Sequence, residues 1–217
     1  MVIAPDRIAE AEVKDVVVTN DSDFGDYDTR YFDSDDQAVQ TAFDETVRDP
    51  ERPNRLVLSS VNAPFRFERA VELWQSNVSV LGDHGETIAP AAGNDGYLLR
   101  TRIRGGETEE GPGSHIHDLS VANLSIDGEN QASGIETKDV NLSVFGPGIH
   151  IENTDGPGLR LSDGTMESQF IGIRASDNCG SFEQPAVSVK PDSASRPEHG
   201  SGRLAPNHNV FYNLHVH

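Results

Sequence analysis

Asn77-Val78-Ser79-Val80-Leu81-Gly82 recurs as Asn123-Leu124-Ser125-Ile126-Asp127-Gly128 and as Asn141-Leu142-Ser143-Val144-Phe145-Gly146. A fourth copy, Asn213-Leu214-His215-Val216-His217, closes the chain. Residues in a strand alternate between its two faces, so this unit has the pattern of a short strand entered through a turn. Val78 and Val80 are expected to face inward with Ser79 outward. The same reading turns Leu124 and Ile126, and Leu142 and Val144, toward the core. Asn favours the turn, and its amide can bond the backbone of a neighbouring turn. A second unit, glycine followed by an aliphatic or aromatic residue, lies between the copies: Gly96-Tyr97-Leu98-Leu99, Gly148-Ile149-His150-Ile151, Gly158-Leu159-Arg160-Leu161 and Gly172-Ile173-Arg174.

Recurring short strands with turn residues between them predict stacked circuits of about two dozen residues, each burying its apolar side on the next. The uneven spacing of the copies is accommodated by surface insertions at Gly105–Ser114 and Pro191–Asn207, both rich in Gly, Pro, Ser and charge. An antiparallel sandwich would explain the period of two but not the repeated unit. Before these strands, Ser34-Asp35-Asp36-Gln37 reads as a capping box. Ala38, Val39, Ala42, Phe43 and Val47 then follow at helical spacing, and Asp49-Pro50 ends the helix.

The fold class expected is therefore all-β, a right-handed parallel β-helix with one N-terminal capping α-helix over 34–48. Three regions are expected: a docking segment over 1–20, an opening loop and capping helix over 21–54, and the stacked strands over 55–217. Val16-Val17-Val18 is expected either to dock on a partner or to add a strand to the chain's own first circuit. The last copy of the unit stops where its relatives continue into a turn, so strands are expected to continue beyond His217.

Composition narrows the partners. The 217 residues contain 36 Asp and Glu against 17 Lys and Arg, a formal net charge of -19, and only three lysines, Lys14, Lys138 and Lys190. An acidic, lysine-poor surface suits work in molar salt, where screening shortens self-repulsion to about 3 Å. It excludes nucleic acid, which needs a basic stripe, and an anionic membrane surface. Aromatic residues make up 6%, low for one thick core and suited to stacked aliphatic rows. No apolar run of about 18 residues is present, and Met1 to Asp15 lacks the basic and apolar regions of a secretory signal. Cys179, in Asp177-Asn178-Cys179-Gly180, reads as a turn residue.

Asp33 to Asp44 resembles the helix that opens many pectate-lyase-like β-helices, and Asp23-Phe24-Gly25 is similar to the segment that precedes it there. Leu56-Val57-Leu58 and Phe65-Arg66-Phe67 resemble the first circuit. Ser59 to Pro64 departs from the Tyr-Leu-Pro-Pro-Gly usual at that place. The resemblance covers roughly residues 20–175 and implies fold more than activity, since that superfamily spans lyases, glycosidases, epimerases and viral tailspikes. With the charge, it implies a structural and receptor-recognition part of a virus of a halophilic host: spike, tail fibre or capsid decoration. Such a part would be a homotrimer in the virion, bind cell-surface glycan and meet other virion proteins through residues 1–20. A polysaccharide lyase or glycoside hydrolase and a cellular surface adhesin are the alternatives.

No residues are singled out as catalytic, cofactor-binding or metal-binding. Outward acids near strand ends, Asp118, Asp127, Glu136, Asp139, Glu152, Asp155 and Asp163, match no paired-carboxylate pattern. His115, His117, His215 and His217 have same-face spacing but fall in distant segments. Asp21, Asp23, Asp26 and Asp28 resemble a Ca²⁺ loop without its glycine and terminal glutamate, so no cofactor beyond a possible Ca²⁺ is expected. Gly111-Pro112-Gly113 is a turn.

Overall fold

The structure is a computed structural model and describes residues 14–20, 25–46, 54–60, 63–103, 115–176, 185–190 and 206–217. Strands β1 (Lys14–Thr19) and β2 (Tyr27–Asp28) precede a 3-10 turn over Thr29–Tyr31 and helix α1 (Asp35–Thr46). The chain then runs in circuits. β3 (Asn54–Ser59), β4 (Phe65–Phe67) and β5 (Val71–Leu73) make the first. β6 (Val78–Gly82), β7 (Thr87–Pro90) and β8 (Tyr97–Thr101) make the second. The third is β9 (Ile116–His117), β10 (Ser120–Ala122), β11 (Ser125–Asp127) and β12 (Ser133–Thr137). The fourth is β13 (Val140–Asn141), β14 (Val144–Phe145), β15 (Ile149–Glu152) and β16 (Leu159–Leu161). β17 (Gln169–Ile171), β18 (Ile173–Ser176) and β19 (Val187–Val189) follow, then β20 (Val210–Tyr212) and β21 (His215–Val216).

Corresponding strands pair into three main sheets: sheet A in the order β2-β1-β3-β6-β10-β14-β17-β20, sheet B β4-β7-β11-β15-β18-β21, and sheet C β5-β8-β12-β16-β19. All pairings between the named strands are parallel. Paired residues of neighbouring circuits are 23 to 28 positions apart, as in Phe65 with Ile88 and Val71 with Leu99. The step is 41 across the two circuits that contain the expected insertions. The insertions themselves lie largely outside the described residues.

Register lays the core down in rows. In sheet A, Val16, Leu56, Val80, Val121, Phe145, Phe170 and Phe211 stand opposite one another in turn. Phe145 and Phe170 stack with ring centroids 5.1 Å apart, and Phe170 and Phe211 at 5.2 Å. Sheet B contributes Phe65, Ile88, Ile126, Ile151 and Ala175, and sheet C Val71, Leu99, Ile135 and Leu159. These residues are buried except Phe211, which is 37% exposed at the last circuit. Each fully buried side chain of this size contributes about 1.5–3 kcal/mol.

The turns are rows too. Asn77, Asp118, Leu142, Glu167 and His208 all have positive φ, between 47° and 60°, and each lies just ahead of a sheet A strand. Gly85, Asn123, Gly148, Gly172 and Asn213 do the same ahead of sheet B. The Asn units and two of the Gly units are thus versions of the same device, and they occupy two different corners. Asn123 bonds the preceding circuit as expected, its Nδ2 donating to the Gly82 carbonyl at 2.6 Å.

Leu142 is the exception to the inward pattern. It was expected in the core with Val144, but it is 53% exposed, and Val144 stands opposite Ser120 and Gln169 on the outer side. The left-handed turn falls on Leu142 (φ 49°) rather than on Asn141, which slides the unit by one residue. Phe145 therefore enters the core, and a one-residue slip exchanges the faces of the strand.

Helix α1 closes the first edges of sheets B and C. Asp35 Oδ2 accepts from Arg66 N at 2.6 Å, Asp36 Oδ1 from Glu68 N at 2.8 Å, and Gln40 Oε1 from Glu72 N at 2.7 Å. Trp74 Nε1 donates to Asp44 Oδ1 at 2.8 Å. The polar face of the helix thus stands in for a missing strand, while Ala38, Val39, Ala42 and Phe43 bury beneath it. Gln37 reaches back to Asp33 N at 3.0 Å, one residue earlier than the capping box predicts. Val47 and Pro50 lie outside the described residues. On sheet A, β1 covers the edge of β3 over six paired residues, with Val16 and Val18 buried. The valine run therefore joins the chain's own sheet.

Two substitutions test this layout. Leu124→Asp should cost several kcal/mol, because an unpaired charge enters an apolar row. Leu142→Asn should stabilise by up to about 1 kcal/mol, since a left-handed φ strains a leucine more than an asparagine. Urea melts of both variants read the two signs.

Candidate functional site

The outer face of sheet C carries a row of alternating charge. Parallel register aligns Glu72, Arg100, Glu136, Arg160 and Ser188 from β5, β8, β12, β16 and β19 in one outward row. The alternation is set locally. Leu99 and Thr101, Ile135 and Thr137, and Leu159 and Leu161 are buried on either side of the row, which leaves the residue between each pair to point away.

Glu136 sits between two arginines. Its Oε2 lies 2.8 Å from Arg100 Nε and its Oε1 3.7 Å from Arg160 Nε, with the glutamate side chain 10% exposed. The Arg100 contact has ion-pair distance without the alignment of a hydrogen bond. Opposite charges on neighbouring strands hold this row in register and oppose slippage. The Arg100 guanidinium lies over the Tyr97 ring, 5.8 Å from its centroid, and Arg160 hydrogen-bonds the Tyr97 side chain. Burial pushes the Tyr97 phenol above its ordinary value, with Arg160 opposing that shift. Arg102 extends the positive side, its Nη1 3.3 Å from Glu72 Oε1.

Of the acids picked out in the sequence, Glu136 joins this row. Asp127 and Glu152 face each other across β11 and β15, where Asn153 donates to Asp127 Oδ1 at 3.1 Å and His150 Nε2 lies 3.7 Å from Glu152. Asp139 and Asp163 meet at the corner ahead of sheet A, with Asp139 N donating to the Asp163 carbonyl, and both are buried. Asp118 and Asp155 are exposed. The His115 and His117 rings are 6.3 Å apart, and burial lowers the His115 pKa. His215 lies on sheet B, so the two histidine pairs do not converge. Among the described residues, no three His, Cys, Asp or Glu groups gather to hold a metal. Asp26 and Asp28 bond nearby backbone: Asp26 accepts from Val17 N of β1 at 2.9 Å and Asp28 from Arg30 N at 3.0 Å. Asp21, Asp23 and Cys179 lie outside the described residues.

Sequence reading missed Tyr97, Arg100 and Arg160. They come from separate segments, and only register brings them together. The available signal was a charged residue enclosed by two inward ones in Leu99-Arg100-Thr101, Ile135-Glu136-Thr137 and Leu159-Arg160-Leu161.

No protein-family model matches the chain, and no curated protein matches it. Among solved structures, the chain is similar to ORF18 of Geobacillus virus E2, with a TM-score of 0.66 at 13% identity. The match covers 93% of this chain and 36% of that one, so the chain spans little more than a third of that protein. At this identity the likeness is one of fold. No helix among the described residues is long and apolar enough to cross a membrane.

The raised Tyr97 pKa has a consequence for stability in alkali. The unfolded chain ionises this phenol near its ordinary value of 10.0, before the folded chain does. The stability is therefore complete below that pH and is lost as pH rises through the folded pKa. Tyr97→Phe should lower stability at neutral pH but flatten its decline above about pH 10. Denaturant melts across that range measure it.

Proposed function

We propose that this chain is part of a right-handed parallel β-helix in a virion, a spike, tail-fibre or capsid-decoration subunit that recognises a cell-surface glycan. The observation that carries the reading is the stack of parallel circuits, with its fold likeness to a protein of Geobacillus virus E2. Such a stack is stiff, and it repeats outward side chains at the strand spacing, about 4.8 Å. That is the surface an extended polymer such as a glycan can follow. The pectate-lyase-like resemblance of the Asp33–Asp44 segment supports the same reading. So does the bonding of Asp35, Asp36 and Gln40 to the first strand edges.

In this reading the protein works as a homotrimer on the particle and contacts other virion proteins through its N-terminal segment ahead of Lys14–Thr19, which is itself paired in the chain's own sheet. The net charge of -19 and the three lysines support a halophilic host.

Three measurements address these points. A glycan array is expected to give binding to a restricted set of saccharides without sugar release. Release of sugar would favour the lyase or glycosidase alternative, and no binding would remove the receptor reading. Light scattering after size exclusion should give three times the chain mass, and a monomer at all concentrations would remove the trimer. The melting temperature should climb between about 0.1 M and about 3 M KCl as screening relieves self-repulsion. A melting temperature indifferent to salt would end the halophile argument.

A further inference from the structure

We propose that the outer face of sheet C binds the acidic group of a saccharide, with Arg100 as the residue that holds it. This rests on the receptor reading and gives it a place and a ligand class.

The first support is a local reversal of charge. The chain carries 36 acids against 17 bases, yet the strands of sheet C and the single residue next to each strand end carry Arg100, Arg102, Lys138, Arg160 and Lys190 against Glu72 and Glu136. In a protein so acidic, a small basic field marks where an anion can approach.

The second support is the state of Arg100. Its Nε faces Glu136 at 2.8 Å, its guanidinium makes no hydrogen bond among the described residues, and its side chain is 32% exposed. Guanidinium offers two parallel donors to a carboxylate or sulfate, and one edge of this one is still available. Its position over Tyr97 and beside Glu136 fixes its orientation, which lowers the entropy lost on binding.

The third support is shape. The row runs across the strands, and Arg100 and Arg160 stand two strand spacings apart, about 9.6 Å. A saccharide laid across the strands places one acidic group on Arg100 and keeps neighbouring sugar rings against Tyr97 and Arg160. A nucleic acid, with a charge on every unit, meets the acidic remainder of the molecule instead.

Calorimetry on the whole chain, at a salt concentration where it is folded, tests this with three probes. These are a hyaluronan tetrasaccharide, a chondroitin sulfate tetrasaccharide and neutral maltotetraose. The two acidic probes should bind and the neutral one should not, and the tighter of the two tells carboxylate from sulfate. Arg100→Gln should weaken binding about tenfold, the loss of one charge-assisted pair, and Arg100→Lys should recover part of it. Glu136→Gln, which releases both guanidiniums, should tighten binding, with circular dichroism checking that the variant is folded. Equal binding of the neutral probe, unchanged affinity in folded Arg100→Gln, or no binding of either acidic probe would overturn the site. An array that shows Arg100-independent binding of other glycans would keep the receptor reading while rejecting this face. An array with no binding at all would reject both.

Discussion

Each circuit must return to the same register, because the core exists only as rows built across circuits. A lone strand of three residues such as β10 or β11 buries nothing by itself. Val121 is buried because Val80 precedes it and Phe145 follows it in the same row. The constraint reaches down to the turns, which place every strand relative to the one before. The two corner rows of positive φ do this work, and they explain why Asn and Gly alternate at equivalent places. It also reaches the first edge, where Asp35, Asp36 and Gln40 take the bonds that a preceding strand would have made. Insertions are free to lengthen a circuit from 24 to 41 residues so long as the chain re-enters at the same corner.

Most of the strand pattern was legible because its signal is local. Val78, Val80, Leu124 and Ile126 face inward as their alternation implies, and the apolar stripe of α1 is the one its spacing gives. The two circuits that lengthen to 41 residues are those where composition placed insertions. What was not legible depends on the third dimension. Asn141-Leu142-Ser143-Val144 looks like the other copies, but a shift of the left-handed residue by one position reverses its faces. That shift is decided by the neighbouring circuits, which already present Ser120 and Val121 to the new strand. The split of the Asn and Gly units into separate motifs had the same origin: Asn123, Asn213, Gly148 and Gly172 look different in sequence and sit at the same corner ahead of sheet B.

The outward row on sheet C follows from the same logic applied to charge. A repeat that stacks aliphatic on aliphatic inside will stack any outward residue on its counterpart, so a like-charged row would repel itself. Here acid and base alternate from Glu72 to Arg160, which removes that repulsion and reinforces register. The row also ends the acidic monotony of the sequence, with Glu136 held between two guanidiniums and Tyr97 beside them. The ion pairs with Glu136 tie the arginines of neighbouring strands together, and the Arg100 side chain stays 32% exposed.

The central claim is the parallel register, and engineered disulfides measure it directly. In a Cys179→Ser background, Ser120→Cys with Val144→Cys places two thiols on opposed outward positions of neighbouring strands. Their Cα atoms would lie about 4.8 Å apart, within disulfide range. Ser120→Cys with Gln169→Cys places them two strands apart, about 9.6 Å and beyond that range. Mild oxidation should cross-link the first pair in the folded chain and leave the second free. Cross-linking of the second pair, or none in the first, would contradict the stacking of one circuit upon the next.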